Sequence, residues 1–255
     1  MERDLHCHTF FSPCAEPSMS YSAIVEAAER AGLQEVGLTD HPHRPGLARH
    51  HAALDRMRDE FPPRLKVWIG AELEVMGLGQ LIIPPPELPL ADYLLAAPSH
   101  YDLLNFPPMK NLEDPVAWAD RMMTDMENVP GSGAHGIAHP FFVYAIIVRP
   151  PAGMNLPLIE QVFAEIRPRR MARLLERLAE GRVALEISPR ATCTPTFEGF
   201  LEDMYRQAKA AGCKFYTGSD SHQLGTVGRL GRAEAFIQRL GLGPSDFWSP
   251  WQVTR

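Results

Sequence analysis

The sequence predicts an α/β protein built as a closed or nearly closed barrel of seven strand–helix units. Amphipathic helical segments recur along the chain, and short apolar segments suited to strands alternate with them. Strands that alternate with helices pair in parallel, because each parallel connection needs a crossover. Seven such strands suit a barrel better than an open sheet. No break in composition marks a linker, so we expect a single domain over residues 1–255.

Each helix is predicted from apolar residues that recur at positions i, i+3, i+4 and i+7. Five segments follow this pattern: Ile24–Ala31, Ala119–Met126, Met171–Leu178, Leu201–Ala208 and Ala233–Leu240. Asp114 and Pro115 precede the second segment as a helix N-cap and a first helical residue. The other four segments are followed by Gly32, Gly181, Gly212 and Gly241. A glycine at this place accepts the left-handed conformation that ends a helix.

Seven short apolar segments are predicted as strands. In chain order they are Asp4–His8, Glu35–Thr39, Val67–Val75, Tyr93–Ala97, Gly136–His139, Arg182–Ser188 and Lys214–Ser219. Proline-rich segments around residues 84–86, 107–108 and 150–151 are predicted as loops.

Composition and charge narrow the class of protein. Of the residues, 45% are hydrophobic and 22% are charged, which suits a folded core and argues against wholesale disorder. The net charge of −6 argues against a protein that coats nucleic acid or an anionic membrane. The four cysteines are scattered and form no CxxC pair, so we expect no disulfide framework and a reduced, cytoplasmic setting.

Neither a targeting segment nor a membrane span is predicted. The N-terminus, MERDLHCHTF, lacks the apolar core of a signal peptide. The longest uncharged stretch, residues 128–148, contains prolines, glycines and histidines, whereas a spanning helix needs about 20 mostly apolar residues. We therefore expect no membrane partner.

Every predicted strand carries a histidine or a carboxylate at or near its C-terminal end. In chain order these residues are His6, His8, Asp40, His41, Glu72, Glu74, His100, His139, Glu186, Asp220 and His222. In a β/α barrel the carboxyl ends of all strands meet at one face, which carries the active site. Side chains that are distant in sequence are therefore expected to meet in one small volume.

The chemistry of this set indicates bound metal ions. His6 and His8 are two residues apart and so project from the same face of a strand. Two imidazoles can chelate one metal, and a carboxylate such as Glu72 can bridge two. Burying so many carboxylates without partners would be costly, and divalent cations remove that cost. A single His-x-His is weak support for a metal site, since it can be structural. Histidines or carboxylates at all seven strand ends are much stronger support.

These residues stand in motifs that resemble a known family. The motifs are His6-Cys7-His8-Thr9, Thr39-Asp40-His41, Gly70-Ala71-Glu72, Ser99-His100, Ile137-Ala138-His139-Pro140 and Gly218-Ser219-Asp220-Ser221-His222. In this order they resemble the PHP (polymerase and histidinol phosphatase) superfamily, over residues 4 to 222. The resemblance implies a distorted (β/α)7 barrel with a centre of two or three divalent metals, Zn, Mn or Fe.

The resemblance also implies a distribution of ligands. His6, His8, Glu72 and Asp220 would hold the first metal. Glu72 would bridge to a second metal that is held also by His100 and His139. The third metal would be held by His41 and His222.

One position departs from the family pattern. Where the family usually offers a further histidine to the third metal, this chain reads Ser12-Pro13-Cys14. Cys14 could bind the metal as a thiolate, the third site could be weak or empty, or Cys14 could be a small buried thiol without a metal.

Several other residues are minor candidates. Asp40 and Glu186 are expected to orient ligands from behind, and Glu74 is expected at the rim. Four histidines are expected at the surface: His43, His50, His51 and His135. Four cations lie in or near predicted loops and could pair with phosphate or remain ordinary surface residues: Arg44, Lys110, Arg149 and Arg190.

Three functions are weighed. The first is hydrolysis of a phosphate monoester, with histidinol phosphate as the family's best-known small substrate, by a hydroxide that bridges the metals. Glu72, Asp220 and His222 would be its catalytic residues. The second is a phosphodiesterase or exonuclease acting on nucleic acid or nucleotides, and the negative charge counts against it. The third is a non-catalytic metal-binding domain, and the eight retained ligands count against it. We expect a phosphatase with a small phosphorylated substrate.

Overall fold

Parallel strands form a ring in the computed structural model, which describes residues 2–42, 46–75, 80–100, 114–142, 156–189 and 195–252. The strands are β1 Arg3–Cys7, β2 Glu35–Leu38, β3 Lys66–Ile69, β4 Ala71–Glu74, β5 Leu94–Ala97, β6 Gly136–Ile137, β7 Ala184–Ile187 and β8 Phe215–Thr217. They pair in the orders β1-β2-β3 and β4-β5-β6-β7-β8, and every pairing is parallel.

The two sheets are joined at both of their edges. Strands β3 and β4 are one run that is interrupted only at Gly70. On one side of this run, the Gly70 amide donates to the Leu38 carbonyl at 2.8 Å, and on the other the Ala71 amide donates to the Tyr93 carbonyl at 3.2 Å. The distant edge closes where the Asp220 amide donates to the His6 carbonyl at 2.8 Å. The predicted distorted (β/α)7 barrel is therefore confirmed, because β3 and β4 count as one strand.

Only glycine fits at position 70, because the aromatic ring of Tyr93 fills the space beside it. A Cβ at Gly70 would lie 2.9 Å from the Tyr93 ring, closer than packed atoms allow. The Tyr93 hydroxyl crosses to the first strand and donates to the Leu5 carbonyl at 2.6 Å. This contact ties β5 to β1 through the inside of the barrel.

Seven helices of the described residues surround the ring. They are α1 Tyr21–Arg30, α2 Leu47–Glu60, α3 Pro115–Glu127, α4 Leu156–Glu165, α5 Pro168–Glu180, α6 Pro195–Ala211 and α7 Gly231–Leu240. Short 3-10 turns cover Pro85–Leu90, Leu224–Thr226, Pro244–Asp246 and Pro250–Gln252. Among the residues that the structure describes, no helix is both long enough and apolar enough to cross a bilayer.

The five helices predicted from apolar spacing are confirmed, and α2 and α4 were not predicted. Helix α2 buries only Leu47, His50 and Leu54, so its sequence carries little apolar periodicity. One predicted stop is wrong in detail, because Gly181 has a right-handed φ of −74°. The left-handed conformation is taken instead by the next residue, Arg182, at φ 55°.

The interior of the barrel is apolar below the strand ends. A buried cluster takes residues from strands all around the ring: Leu5, Trp68, Tyr93, Leu95, Ala138, Ala184, Tyr216 and Trp248. Side chains two residues further along a strand project from the same face. Glu186 follows Ala184 in this way, and Glu72 follows Trp68 after two such steps. The residues of the candidate site therefore form the next layer of the interior, toward the carboxyl ends of the strands.

Candidate metal centre

Glu72 stands at the middle of a ring of imidazoles. Its side chain is only 1% exposed. The oxygen Oε2 lies 3.2 Å from Nε2 of His6 and 3.3 Å from Nε2 of both His8 and His41. The oxygen Oε1 lies 2.7 Å from Nε2 of His139 and 3.6 Å from Nε2 of His100. The two oxygens of one carboxylate thus face two different groups of histidines.

Asp220 provides a second carboxylate on the same side as His6 and His8. Its Oδ1 lies 3.2 Å from His8 Nε2 and 3.5 Å from His6 Nε2. His222 lies beside it, with Nδ1 donating to the Asp220 carbonyl at 2.9 Å. The backbone of Asp220 is left-handed, with φ 53°. A non-glycine residue in this conformation is uncommon and is held here by its contact to β1.

The imidazoles are oriented through their Nδ1 atoms. Three of these contacts have clear direction, because a carboxylate, a carbonyl or an already donating hydroxyl accepts the proton: His6 to Glu186 Oε1 at 2.8 Å, His41 to the Glu72 carbonyl at 3.3 Å and His8 to Ser12 Oγ at 3.1 Å. Nδ1 of His139 contacts Ser99 Oγ at 2.9 Å. A proton on Nδ1 leaves the lone pair on Nε2, which is the tautomer that binds metals.

Glu186 contacts two of the candidate ligands, His6 and His139, from the far side of the ring. It is fully buried, and it accepts from the His6 ring through Oε1 and from the His139 amide through Oε2. Gly218 makes room for this carboxylate, since a Cβ there would lie 2.1 Å from Glu186 Oε1 and 2.4 Å from the His6 Cβ. The geometry agrees with the orienting role that the sequence suggested for Glu186.

Glu186→Gln is expected to weaken metal binding by about 10–100-fold, the usual effect of losing a partner that orients a ligand. The amide cannot accept from both His6 and the His139 amide as the carboxylate does. Calorimetric titration of metal-free protein with Zn²⁺ measures the change. Glu180→Gln, at the exposed end of α5, is the matched control, and equal affinities for the two variants would contradict the assignment.

Asp40 acts on the loop that follows β1. It accepts from the Thr9 amide and hydroxyl, both at 2.6 Å, and from the Ser12 hydroxyl at 2.5 Å. Ser12 in turn contacts the His8 ring, as described above. Asp40 therefore reaches His8 through Ser12.

Two predictions about neighbouring residues are wrong. His50 was expected at the surface, but it is 3% exposed, and its Nε2 lies 3.3 Å from Asp40 Oδ2. The unpredicted helix α2 brings it there. Glu74 was expected at the rim, but it is completely buried and its Oε1 lies 3.6 Å from Nδ1 of His41 and 3.7 Å from Nδ1 of His100. Strand β4 pairs with β5 as far as Glu74, and this pairing keeps Glu74 inside the barrel.

The charges of the centre are strongly coupled. Burial would raise the pKa of Glu72, but the surrounding histidines hold it well below its usual range. Burial would lower the pKa of His8, but hydrogen bonds to Asp220 and Glu72 raise it to about 9. Burial lowers the pKa of His41 to about 4. Without metal, ionised carboxylates are thus neutralised partly by protons on histidine.

Cys14 lies at the edge of this cluster. Desolvation and the negative charges of Glu72 and Asp220 raise the pKa of its thiol to about 12. Its Sγ belongs to a group with His8 and His41 in which one candidate ligand atom from each residue lies within 4.8 Å of the others. Four further groups meet the same criterion: His6 with His8 and Glu72, His6 with His139 and Asp220, His8 with Asp220 and His222, and His41 with Glu72 and His100.

This clustered geometry agrees with the family that the sequence matches. Residues 4–112 match the PHP domain. This match lies in the N-terminal part of the chain. The resemblance that was recognised in the motifs is therefore confirmed. A comparison with curated proteins gives no match.

A likeness in fold to solved structures extends over nearly the whole chain. Histidinol phosphate phosphatase from Lactococcus lactis subsp. lactis, complexed with zinc, L-histidinol and phosphate, is 21% identical, with a TM-score of 0.65. The match covers 95% of this chain and 94% of that one. At this identity the likeness establishes a shared fold.

Two further solved structures have lower structural similarity to this chain. A Xaa-Pro dipeptidase with bound methionine is 12% identical, covers 94% of this chain and 70% of its own, and has a TM-score of 0.44. N-isopropylammelide isopropylaminohydrolase from Burkholderia multivorans is 19% identical, covers 88% and 57%, and has a TM-score of 0.40.

The fold brings all nine sequence-predicted metal ligands into one cluster. They are His6, His8, Cys14, His41, Glu72, His100, His139, Asp220 and His222. Of the other candidates, His51 and His135 are half-buried. Five fall outside the described residues: His43, Arg44, Lys110, Arg149 and Arg190. That the clustered residues bind metal is a prediction.

Proposed function

We propose that the protein is a metal-dependent phosphatase that hydrolyses a phosphate monoester, with residues 1–255 forming one PHP-type phosphoesterase domain. The observation that carries this proposal is the single buried carboxylate, Glu72, whose two oxygens face separate groups of imidazole Nε2 atoms. A carboxylate in this position can bridge two cations. Metal pairs about 3.5–4 Å apart are typical of phosphatases.

The donor atoms suit divalent metals. Nε2 of His6 lies 3.2 Å from Nε2 of His8. The Nδ1 atom of each ring already donates a hydrogen bond to a neighbouring oxygen, so Nε2 is the nitrogen that faces Glu72. A cation between these two nitrogens and Glu72 would be bound by both Nε2 atoms and by the carboxylate, in place of the proton that His8 carries in the metal-free protein. Imidazole and carboxylate are the ligands of Zn, Mn and Fe sites.

We assign the ligands to three positions. His6, His8, Asp220 and Glu72 Oε2 would hold the first metal, and Glu72 Oε1, His100 and His139 would hold the second. The third would be held by His41 and His222. The split contacts of the Glu72 carboxylate, three histidines on Oε2 and two on Oε1, support this arrangement.

The metals would lower the pKa of water and neutralise charge on the phosphate oxygens. The chain itself supplies orientation. Glu72 and Asp220 would hold the cations in place, and the hydrogen bonds at Nδ1 fix the orientation of the imidazoles. The side chain of His222 is 26% exposed, far more than those of the other histidines of the cluster, so it is the one that a substrate meets first. Glu72, Asp220 and His222 are accordingly our proposed catalytic residues.

Histidinol phosphate is the first substrate to test. Support comes from the shared fold with an enzyme whose structure contains L-histidinol and phosphate. The net charge of −6 makes a polyanionic nucleic acid the poorer candidate. A small phosphomonoester therefore fits the chain better than a diester.

A panel of phosphomonoesters and phosphodiesters, assayed with added Zn²⁺ or Mn²⁺, tests the proposal. Monoesters are expected to be hydrolysed faster than diesters or single-stranded DNA. Preference for a diester would replace the proposed activity by a nuclease or phosphodiesterase, and no turnover by metal-loaded protein would leave a non-catalytic metal-binding domain.

His139→Ala is expected to lose most of this turnover and still fold. Its Nε2 makes the shortest contact to Glu72, at 2.7 Å, so its loss empties one side of the bridge. Rates and circular dichroism spectra are compared with those of His51→Ala, a histidine of α2 outside the cluster. Full activity of His139→Ala would exclude the second metal from the reaction.

A further inference from the structure

The loop that carries Cys14 is anchored on both sides of the metal centre. On one side, the hydroxyls of Thr9 and Ser12 donate to the Asp40 carboxylate at the end of β2. On the other side, the Glu16 amide donates to the His222 carbonyl at 2.9 Å. Cys14 lies between these two anchors, so its position relative to the site is determined by the fold.

The sulfur of Cys14 lies beside two imidazoles. One ligand atom from each of His8, Cys14 and His41 falls within 4.8 Å of the others. The Nδ1 atoms of both histidines are engaged, by Ser12 and by the Glu72 carbonyl. A zinc ion holds sulfur at about 2.3 Å and imidazole nitrogen at about 2.0–2.1 Å. The sulfur is therefore close enough to the His41 imidazole for both to bind one ion, while His8 stays with the first metal.

We propose that Cys14 binds the third metal as a thiolate, beside His41, and that this ligand makes the position selective for zinc over manganese. Thiolates select zinc among the divalent metals, whereas carboxylate and water suit manganese. The inference rests on the proposed metal centre but not on the identity of the substrate. It gives one of the metal positions in this PHP domain a softer ligand set than imidazole and carboxylate alone.

Two other cysteines, Cys7 and Cys213, differ from Cys14 in their surroundings. Cys7 is buried, and its Sγ lies 3.6 Å from Ser219 Oγ. Cys213 is buried and donates from Sγ to the Leu175 carbonyl at 3.2 Å. Neither belongs to a candidate metal group among the described residues. Cys14 is exposed, so its replacement removes no core packing.

Cobalt substitution tests the thiolate directly, because a sulfur–Co²⁺ bond gives a charge-transfer absorption in the near ultraviolet. Titration of metal-free wild type with Co²⁺ is expected to produce this band. Cys14→Ser and Cys14→His are expected to lack it, whereas Cys213→Ser is expected to retain it. Thermal unfolding of each variant checks that the fold is intact.

Zinc competition against a chromophoric chelator measures the selectivity. Cys14→Ser is expected to weaken the third position for Zn²⁺ by at least ~10-fold, the lower end of the loss caused by removing even an indirect partner. Cys14→His is expected to restore occupancy of the third position but to lower its preference for Zn²⁺ over Mn²⁺ relative to the wild type.

Absence of the band in wild type saturated with Co²⁺, or its survival in Cys14→Ser, would overturn the inference. If such a protein still hydrolyses phosphomonoesters, the proposed function stands and only the role of Cys14 falls. A chain that takes up no cobalt would refute both.

Discussion

Glu72→Gln is expected to lower kcat/KM for phosphomonoester hydrolysis by about 10³-fold or more. The side chain faces five histidine Nε2 atoms with its two oxygens, and an amide has only one oxygen with which to replace them. A metal ion contributes several kcal/mol to transition-state stabilisation, and each ~1.4 kcal/mol corresponds to tenfold in rate. Loss of the proposed bridge between two metals is therefore expected to have a large effect.

The measurement is steady-state kinetics with saturating Zn²⁺, together with metal content by mass spectrometry. Fewer than the wild-type number of ions should remain bound to Glu72→Gln. Glu26→Gln, a highly exposed carboxylate of α1, should match the wild type in both. A Glu72→Gln variant with wild-type metal content and unchanged rate would show that Glu72 is not the bridge.

Removal of metal by a chelator is expected to abolish activity and to lower the thermal midpoint by about 10 °C or more. A ligand at 1,000 times its Kd stabilises a fold by about 4 kcal/mol, and 1 kcal/mol shifts the midpoint by roughly 2–4 °C in a chain near this size. The metal-free protein retains a crowded set of buried carboxylates, Glu72, Glu74, Glu186 and Asp220. Calorimetric scans before and after chelation, and after zinc is restored, measure the shift.

Activity that survives exhaustive chelation would contradict the metal centre. Activity lost on chelation and not regained with Zn²⁺, Mn²⁺ or Fe²⁺ would indicate irreversible unfolding, which the scans detect as an absent transition. A restored transition with restored activity is the expected outcome.

The stabilisation of the fold by metal is expected to depend on pH. In the metal-free protein the pKa of His8 is raised from 6.5 to about 9. Protonated His8 therefore stabilises the metal-free fold fully below pH 6.5, and this contribution disappears as the pH rises through about 9. Metal binding must displace that proton. The difference in thermal midpoint between loaded and metal-free protein should therefore widen from pH 6.5 to 9.

The positions of the strands were open to prediction from the sequence. Their apolar segments end in ligand-type residues, and the pairing of β2 with β3 and of β7 with β8 follows the predicted parallel order. The helices with regular apolar spacing were equally open to prediction. Helix α2 was not, because LARHHAALDRMRDE buries few residues and carries little periodicity.

His50 shows how one missed element hides a site residue. In the sequence it is one of two adjacent histidines with no motif around it. Helix α2 carries it against the Asp40 carboxylate, where it is almost fully buried. Glu74 was missed for another reason. Strand alternation placed its side chain on the same face as Glu72, but could not show that it is buried inside the barrel and does not lie at the rim.

The sequence by itself determined which residue types arrive at the carboxyl ends of the strands, because strand alternation and the repeat of strands and helices are local properties of the chain. Only the tertiary structure decided which atoms meet. The contact of His6 with Glu186 and that of His8 with Asp220 join residues that are 180 and 212 positions apart. Such contacts depend on how the ring of strands closes and on the side-chain orientations that packing imposes, which no local pattern encodes.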